Sequence, residues 1–400
     1  MSPFKIMDSS WKIVTVNEPV MMHRTDDEVW LLNPHRRYIL NPAQIHQIEQ
    51  FVGSVSDLQP GGLLNPLRNG QNIAKSRILI ERLRERGVGD LLFLTGPLAF
   101  LQQASGQTAE IDVYALADRG TVLWGNTDAR VLCGPVEYDH LRLYNQHWFV
   151  NSVTENDEEP DQPNVYDALY AQLGFDPASI DAIWKRPKAF CSPDDYRNLD
   201  QFYRSIWEAK KVDLRRVGFY VVCPFAAATV RSMSYVKWLK FIGELGKRRP
   251  VLVCGSTKVK QPDTDMSAGA FLDQINGLGG GVINAMDSTP LRVLMALISR
   301  VKAFLGLVSG PLYIAQAMRI PAISLWGCHA PGSRLQYDKT YMELAVWERS
   351  ACNQSPCFTY IDFPAAKCPR GAGQTECEVL SVIQPENIFT KFDLVESATK

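Results

Sequence analysis

The chain has 400 residues, 46% hydrophobic and 21% charged, more apolar material than one core usually serves, which excludes disorder and fibrous repeats. Its 42 Lys and Arg against 43 Asp and Glu leave a formal net charge of −1, so bulk charge does not draw it onto nucleic acid or an anionic membrane. The opening MSPFKIMDSSWK lacks the apolar run of a signal peptide, and no stretch reaches the roughly 20 apolar residues of a membrane span, which predicts a soluble, cytoplasmic protein.

In chain order, residues 1–75 read as a small, partly β appendage, with alternating runs at 11–16 and 28–32, a helix over 41–52 and a Pro/Gly-rich tether over 59–70. From residue 76 the pattern becomes βαβ, with a strand over 77–83, a helix over 91–103 and a strand over 110–116. A right-handed crossover makes such strands parallel. An acidic surface loop follows at 154–163 and a polar helix at 194–211. The pattern then restarts with strand 218–225, helix 235–248 and strand 250–255, and continues through strand 281–286 and helix 291–301. It is clearest in strand 303–308, helix 311–318 and strand 321–326. Two such runs predict two doubly wound α/β domains, residues 76–210 and 211–400, with ligands at the carboxyl ends of the strands.

Three features can carry chemistry. Gly87-Val88-Gly89-Asp90 lies between a strand and a helix, where an acid reads either as an N-cap or as a carboxylate facing a ligand; spacing alone favours the cap. Val308-Ser309-Gly310-Pro311 opens a helix with a capping serine, a glycine that admits close approach and a proline suited to the first turn. Free N–H groups and the helix dipole there suit a phosphate or pyrophosphate, though any well-capped helix shares these features. The nine cysteines, without a signal peptide, read as reduced thiols. Cys133, Cys191, Cys223, Cys254 and Cys328 are scattered and read as small core residues, whereas Cys352, Cys357, Cys368 and Cys377 crowd one loop over 352–377. Those four can close a tetrahedral structural Zn or Fe site; an unligated Cys-rich loop and a redox-labile pair stay open.

Taken in order, these residues resemble glycosyltransferase family 9, the bacterial ADP-heptose heptosyltransferases. Val88-Gly89-Asp90-Leu91 with Gly96-Pro97 stands where that family has a Leu-Gly-Asp-Val turn and a small-residue/Pro pair. Arg231 to Trp238 stands where its second domain has a basic residue ahead of a helical Trp. Val308 to Tyr313, then Ala315, Ala317, Pro321 and Gly327, follow its Asp-Ser-Gly-Pro-x-His signature, and Ser355-Pro356-Cys357 and Cys368-Pro369 follow its cysteine motifs.

The resemblance implies a GT-B fold, two Rossmann-like domains facing a cleft. It implies inverting, metal-independent transfer of a sugar from a nucleoside diphosphate to an acceptor hydroxyl, with no cofactor required for catalysis. On that reading Asp90 is the general base. Gly89, Ser309, Gly310, Pro311 and Tyr313 belong to the donor site, and Arg231, or alternatively Lys237, is the cation on the phosphates. Two positions depart from the family: its Asp is Val308 and its His is Tyr313, so the sugar is heptose or another. The appendage and the Cys-rich loop resemble the autotransporter heptosyltransferases, which implies a metal at the four cysteines and a glycan or protein acceptor. A homo-oligomer is compatible with both. A non-catalytic nucleotide- or glycan-binding scaffold stays open on Val308 and Tyr313. A phage-type DNA base glycosyltransferase stays open more weakly, because phosphate contacts need clustered Lys and Arg.

Overall fold

The computed structural model describes residues 12–25, 28–34, 36–40, 42–57, 75–81, 87–115, 117–134, 137–141, 143–149, 164–226, 231–257, 265–335, 337–357 and 376–398. The tether at 59–70, the acidic loop at 154–163 and Cys368 lie outside them. The chain forms two compact units, one of Met1–Arg86, Leu94–Val153 and Ala168–Trp184, the other of Gly87–Phe93, Thr154–Asp167 and Lys185–Lys400.

The first unit opens with β1 (Lys12–Val16), β2 (Val20–Thr25), β3 (Glu28–Leu32), β4 (Tyr38–Leu40) and β5 (Val52–Asp57). β1 is the centre of an antiparallel sheet of order β4-β1-β5, and β2 pairs with β3 as a hairpin. Period-two alternation puts Val14, Val16, Val20, Met22, Trp30 and Leu32 into a small core of their own with Tyr38 and Leu40. The helix expected over 41–52 is shorter, Pro42–Gln47 plus one 3-10 turn at Glu49–Phe51. Val52 turns extended there because Val52–Asp57 has a partner in β1.

The same unit holds a parallel sheet of β6 (Arg77–Glu81), β7 (Glu110–Tyr114), β8 (Arg130–Leu132) and β9 (Gln146–Phe149), in the order β8-β7-β6-β9. Helix Val88–Ala104 lies between β6 and β7 in the chain. Asp112, on β7, is buried, and Arg130 grips it with two hydrogen bonds of 2.8 and 2.7 Å.

The second unit holds one all-parallel sheet of β10 (Tyr220–Cys223), β11 (Val251–Val253), β12 (Val282–Asn284), β13 (Ala303–Leu307), β14 (Ala322–Leu325) and β15 (Ala345–Val346). The uninterrupted apolar runs Tyr-Val-Val-Cys and Ala-Phe-Leu-Gly-Leu are buried along their whole length, as helices on both faces of a parallel sheet require. The order β12-β11-β10-β13-β14-β15 reverses direction between β10 and β13. Ligands of open α/β sheets sit at the carboxyl ends of the strands flanking such a switch point. Arg231 follows β10, and Ser309 follows β13.

Helix Pro193–Lys210, close to the 194–211 expected, groups with this second unit although the sequence reading ended the first domain at 210. Arg292, on helix Leu291–Ile298, donates to both carboxylate oxygens of Asp195 and so ties the two helices together. Burial opposes ionisation of Asp195, but hydrogen bonds from Arg292 and Ser192 outweigh it and hold its carboxyl below the ordinary value. Among the described residues no helix is long and apolar enough to cross a membrane.

The C-terminal helix Pro385–Ala398 closes the sheet by laying Phe392 on Tyr220, ring centres 4.6 Å apart. Its Glu396 accepts hydrogen bonds from Arg249 at 2.6 and 2.8 Å and from the Tyr220 hydroxyl at 2.6 Å. Those bonds hold the Glu396 carboxyl down at about 2 despite partial burial. A depressed folded value stabilises the fold fully above the ordinary value of 4.5 and loses that contribution as pH falls toward 2. Because the carboxylate keeps some solvent exposure, Glu396→Gln is expected to cost about 1–2 kcal/mol at neutral pH. Melting curves of the variant should fall less steeply than the parent's between pH 4.5 and 2.

Candidate active site

At the switch point, β13 ends and the chain passes Val308 and Ser309 into helix Gly310–Ala317, with Pro311 in its first turn. Ser309 does not cap this helix as its position suggested. From an extended backbone its hydroxyl donates instead to the Leu307 carbonyl at 3.2 Å. Elsewhere in the unit Ser192, Ser234 and Ser267 do cap, each accepting from a backbone N–H of its helix. The start of helix Tyr235–Arg248 is further filled by Asp265, which accepts from the N–H groups of Tyr235 and Val236 at 2.8 and 3.2 Å. The beginning of helix Gly310–Ala317 therefore keeps donors that its own serine leaves alone. Arg231 lies against it, donating to the Val308 carbonyl at 3.1 Å. Lys237, the alternative cation, donates its backbone N–H to Ser234 within the capped turn.

The segment Gly87–Phe93 belongs to the same unit. Asp90 is in the first turn of helix Val88–Ala104 but is not its cap; it follows Val88 and Gly89 inside the helix. Gly89 faces the Tyr313 ring so closely that a Cβ there would come within 2.9 Å of Cε2. Gly310 makes the reciprocal approach, and its Cβ would stand 3.1 Å from that of Val88. Two helix starts thus meet through two glycines that no larger residue could replace without a shift. Tyr313, buried, also packs edge-on against Phe93 with ring centres 4.5 Å apart, and Phe93 packs edge-on against Tyr166 at 5.6 Å. Its ring serves the interlock.

Asp90 faces a cation that sequence reasoning missed. Arg334, on the short helix Pro331–Arg334, is buried, and its Nη1 stands 3.9 Å from Asp90 Oδ1. His329, also missed, lies between charges: burial first, then Arg334 and Arg231, hold its imidazole well below the usual range, so it is neutral at physiological pH. Among the described residues, two guanidiniums, one carboxylate and one neutral imidazole leave positive charge in excess beside the helix start. The available signal was the loop Gly327-Cys-His-Ala-Pro-Gly-Ser-Arg334, placed after a parallel strand where ligand-facing residues gather.

The thiols are partly brought together. Burial raises Cys377 to about 11, and Cys357 and Cys352 add to the rise. Burial likewise pushes Cys328 up, with Cys357 and Cys377 contributing, so Cys328 is the buried core thiol expected and also lies beside the loop cysteines, whereas Cys133, expected in the core, is exposed. The Cys357 N–H donates to the Cys328 carbonyl at 3.0 Å. Among the described residues no three His, Cys, Asp or Glu gather as a metal-holding group, and Cys368 lies outside those residues.

This architecture is shared with solved glycosyltransferases. A family 9 glycosyl transferase from Veillonella parvula DSM 2008 superposes with a TM-score of 0.54 at 11% identity, covering 82% of this chain and 99% of its own. The ADP-heptose LPS heptosyltransferase II of E. coli gives 0.55 at 16%, covering 81% and 99%. TibC, the iron-containing dodecameric glycosyltransferase of enterotoxigenic E. coli H10407, gives 0.53 at 14%, covering 98% and 92%. A search of curated protein sequences gave no match. The fold is that of the GT-B glycosyltransferases. Residues 209–362 match the model of glycosyltransferase family 9 (heptosyltransferase).

Gly89→Ala is expected to force Tyr313 aside and to cost about 1–3 kcal/mol, the scale of overpacking a closed contact. In a double-mutant cycle, Tyr313→Leu should recover part of that loss by vacating the space; strictly additive denaturant-melt energies would contradict the interlock.

Proposed function

We propose that the chain is an inverting glycosyltransferase that moves a sugar, heptose or another, from a nucleoside diphosphate to an acceptor hydroxyl without a divalent metal. The observation that carries this reading is the placement of Asp90 on the turn seated against the start of helix Gly310–Ala317, with Arg231 beside that start. Asp90 takes the proton of the acceptor hydroxyl, whose oxygen attacks the anomeric carbon as the bond to the departing diphosphate breaks on the opposite face. The first-turn N–H groups around Ser309 and Gly310, the helix dipole and Arg231 receive the charge that develops on the leaving group. Pro311 contributes no N–H and fixes the direction of that first turn. Gly89 keeps Asp90 close to this anion site, and Val308 offers the sugar no carboxylate. The nucleotide-sugar donor thus binds the second unit.

The acceptor is a glycan or protein hydroxyl, no nucleic acid is involved, and the setting is the cytoplasm. The exposed cross-strand pair Met21 and Leu31, 70% and 56% accessible, supports a homo-oligomer formed through the appendage. Cys352, Cys357, Cys368 and Cys377 hold one structural Zn or Fe, a set of soft donors with no position left for substrate. Its support is the nearness of the Cys357 and Cys352 thiols to Cys377, which both push upward.

The test follows nucleoside diphosphate release across a panel of nucleotide-sugars. Turnover should persist in EDTA and fall about 10²–10⁴-fold in Asp90→Asn; parent-like turnover by the variant would remove Asp90 from the chemistry. Elemental analysis of protein purified without added metal should find an equivalent of Zn or Fe that Cys357→Ser loses. A metal-free parent ends that part of the proposal. The scaffold reading is favoured by Val308 and by the commitment of the Tyr313 ring to packing, and calorimetric binding of nucleoside diphosphates with no transfer from any donor would establish it instead.

A further inference from the structure

We propose that Arg334 is a positioning residue for Asp90, fixing the orientation in which that carboxylate meets the acceptor hydroxyl; the role rests on the reading of Asp90 as the base. The guanidinium lies 3.9 Å from Asp90 and is buried, so its charge is little screened by water. Its backbone is fixed from both sides. The Asn164 side-chain amide donates to the Gly332 carbonyl at 2.8 Å and to the Leu335 carbonyl at 2.7 Å, bracketing Arg334. The Asn164 Oδ1 in turn accepts the Tyr166 N–H at 3.0 Å, and the Tyr166 ring packs on Phe93, one turn along the helix from Asp90.

The contacts therefore close on themselves, from Asp90 through Phe93, Tyr166, Asn164 and the 332–335 turn to Arg334 and back to Asp90. A second tie holds the same loop: the Tyr337 hydroxyl bonds to Asp167, which pairs with the buried Lys185 at 2.8 Å, and Lys185 Nζ sits 4.6 Å from the Tyr337 ring centre. Among the described residues the other ionisable groups that feel Arg334 are Arg231, a second cation, His329, which the two arginines help to keep uncharged, and the Cys328 thiol, which burial keeps protonated. None of these supplies a competing anion. Arg334 thus orients the carboxylate of Asp90, while the closed circuit spends packing and hydrogen bonds on keeping it in place.

The test compares the parent with Arg334→Met, Arg334→Lys and Asp90→Asn, measuring kcat and both KM values by nucleoside diphosphate release, with melting temperatures alongside. Arg334→Met is expected to lower kcat about 10–100-fold, the effect of displacing a reacting group by ~1 Å, with donor and acceptor KM within about threefold. Arg334→Lys should recover most of the loss. Unchanged kcat in Arg334→Met, or a loss confined to donor KM, overturns the positioning role while an inactive Asp90→Asn leaves the base assignment standing. A fully active Asp90→Asn overturns the base assignment itself and this role with it. The melting temperatures give a readout independent of turnover. The losses in Asp90→Asn and Arg334→Met should not add in the double variant, and strict additivity means the two groups do not interact and overturns the proposal.

Discussion

The close approach of two helix starts through Gly89 and Gly310 is the contact on which the rest of the site depends. An α-helix start exposes N–H groups that need a partner, and it carries positive potential. Bringing the start of helix Val88–Ala104 against that of helix Gly310–Ala317 puts a carboxylate and an anion-seeking helix end in one place. Side chains would hold them apart; glycines on both faces, one against the Tyr313 ring and one against Val88, let them touch. Tyr313 makes the contact apolar and stiff, since its ring also packs on Phe93. The turn that carries Asp90 and the start of helix Gly310–Ala317 then share one compact unit, and their separation is set by packing.

Charge follows the same economy. The chain carries almost no net charge, yet around Val308 it concentrates Arg231 and Arg334 and keeps His329 neutral. Asp265 fills the start of helix Tyr235–Arg248 with a carboxylate of the chain's own. Ser309, with its hydroxyl turned back on Leu307, leaves the start of helix Gly310–Ala317 to something else. The starts of helices Pro193–Lys210, Tyr235–Arg248 and Ala268–Gly277 are by contrast each capped by a serine.

Much of the second unit was legible from sequence because a parallel strand buried on both faces must be continuously apolar. Tyr220–Cys223, Ala303–Leu307 and Ala322–Leu325 announce themselves that way, and Ser-Gly-Pro marks the following helix. Short strands such as Arg130–Leu132 and Gln146–Phe149 carry too few residues to show a period, and they pair only because β7 and β6 present edges. Spacing favoured a capping role for Asp90, since a cap and a ligand-facing acid occupy the same part of a helix; only its position after Val88 and Gly89 separates the two. Arg334 and His329 follow no periodicity, and their one signal was their place on the loop after a parallel strand. Their roles come from long-range burial against residues far away in the chain, which periodicity does not encode. Cys328 is the core thiol its apolar company suggested, but its neighbours Cys357 and Cys377 reach it only through the fold.

The most direct test of the central claim is a crystal structure of the protein with a nucleoside diphosphate bound. The account predicts the diphosphate at the N–H groups of Ser309 and Gly310 with Arg231 on its oxygens, and the Asp90 carboxylate facing the side from which the sugar would be attacked. Phosphates bound away from helix Gly310–Ala317, or an Asp90 turned from them with Gly89 no longer against Tyr313, would contradict it.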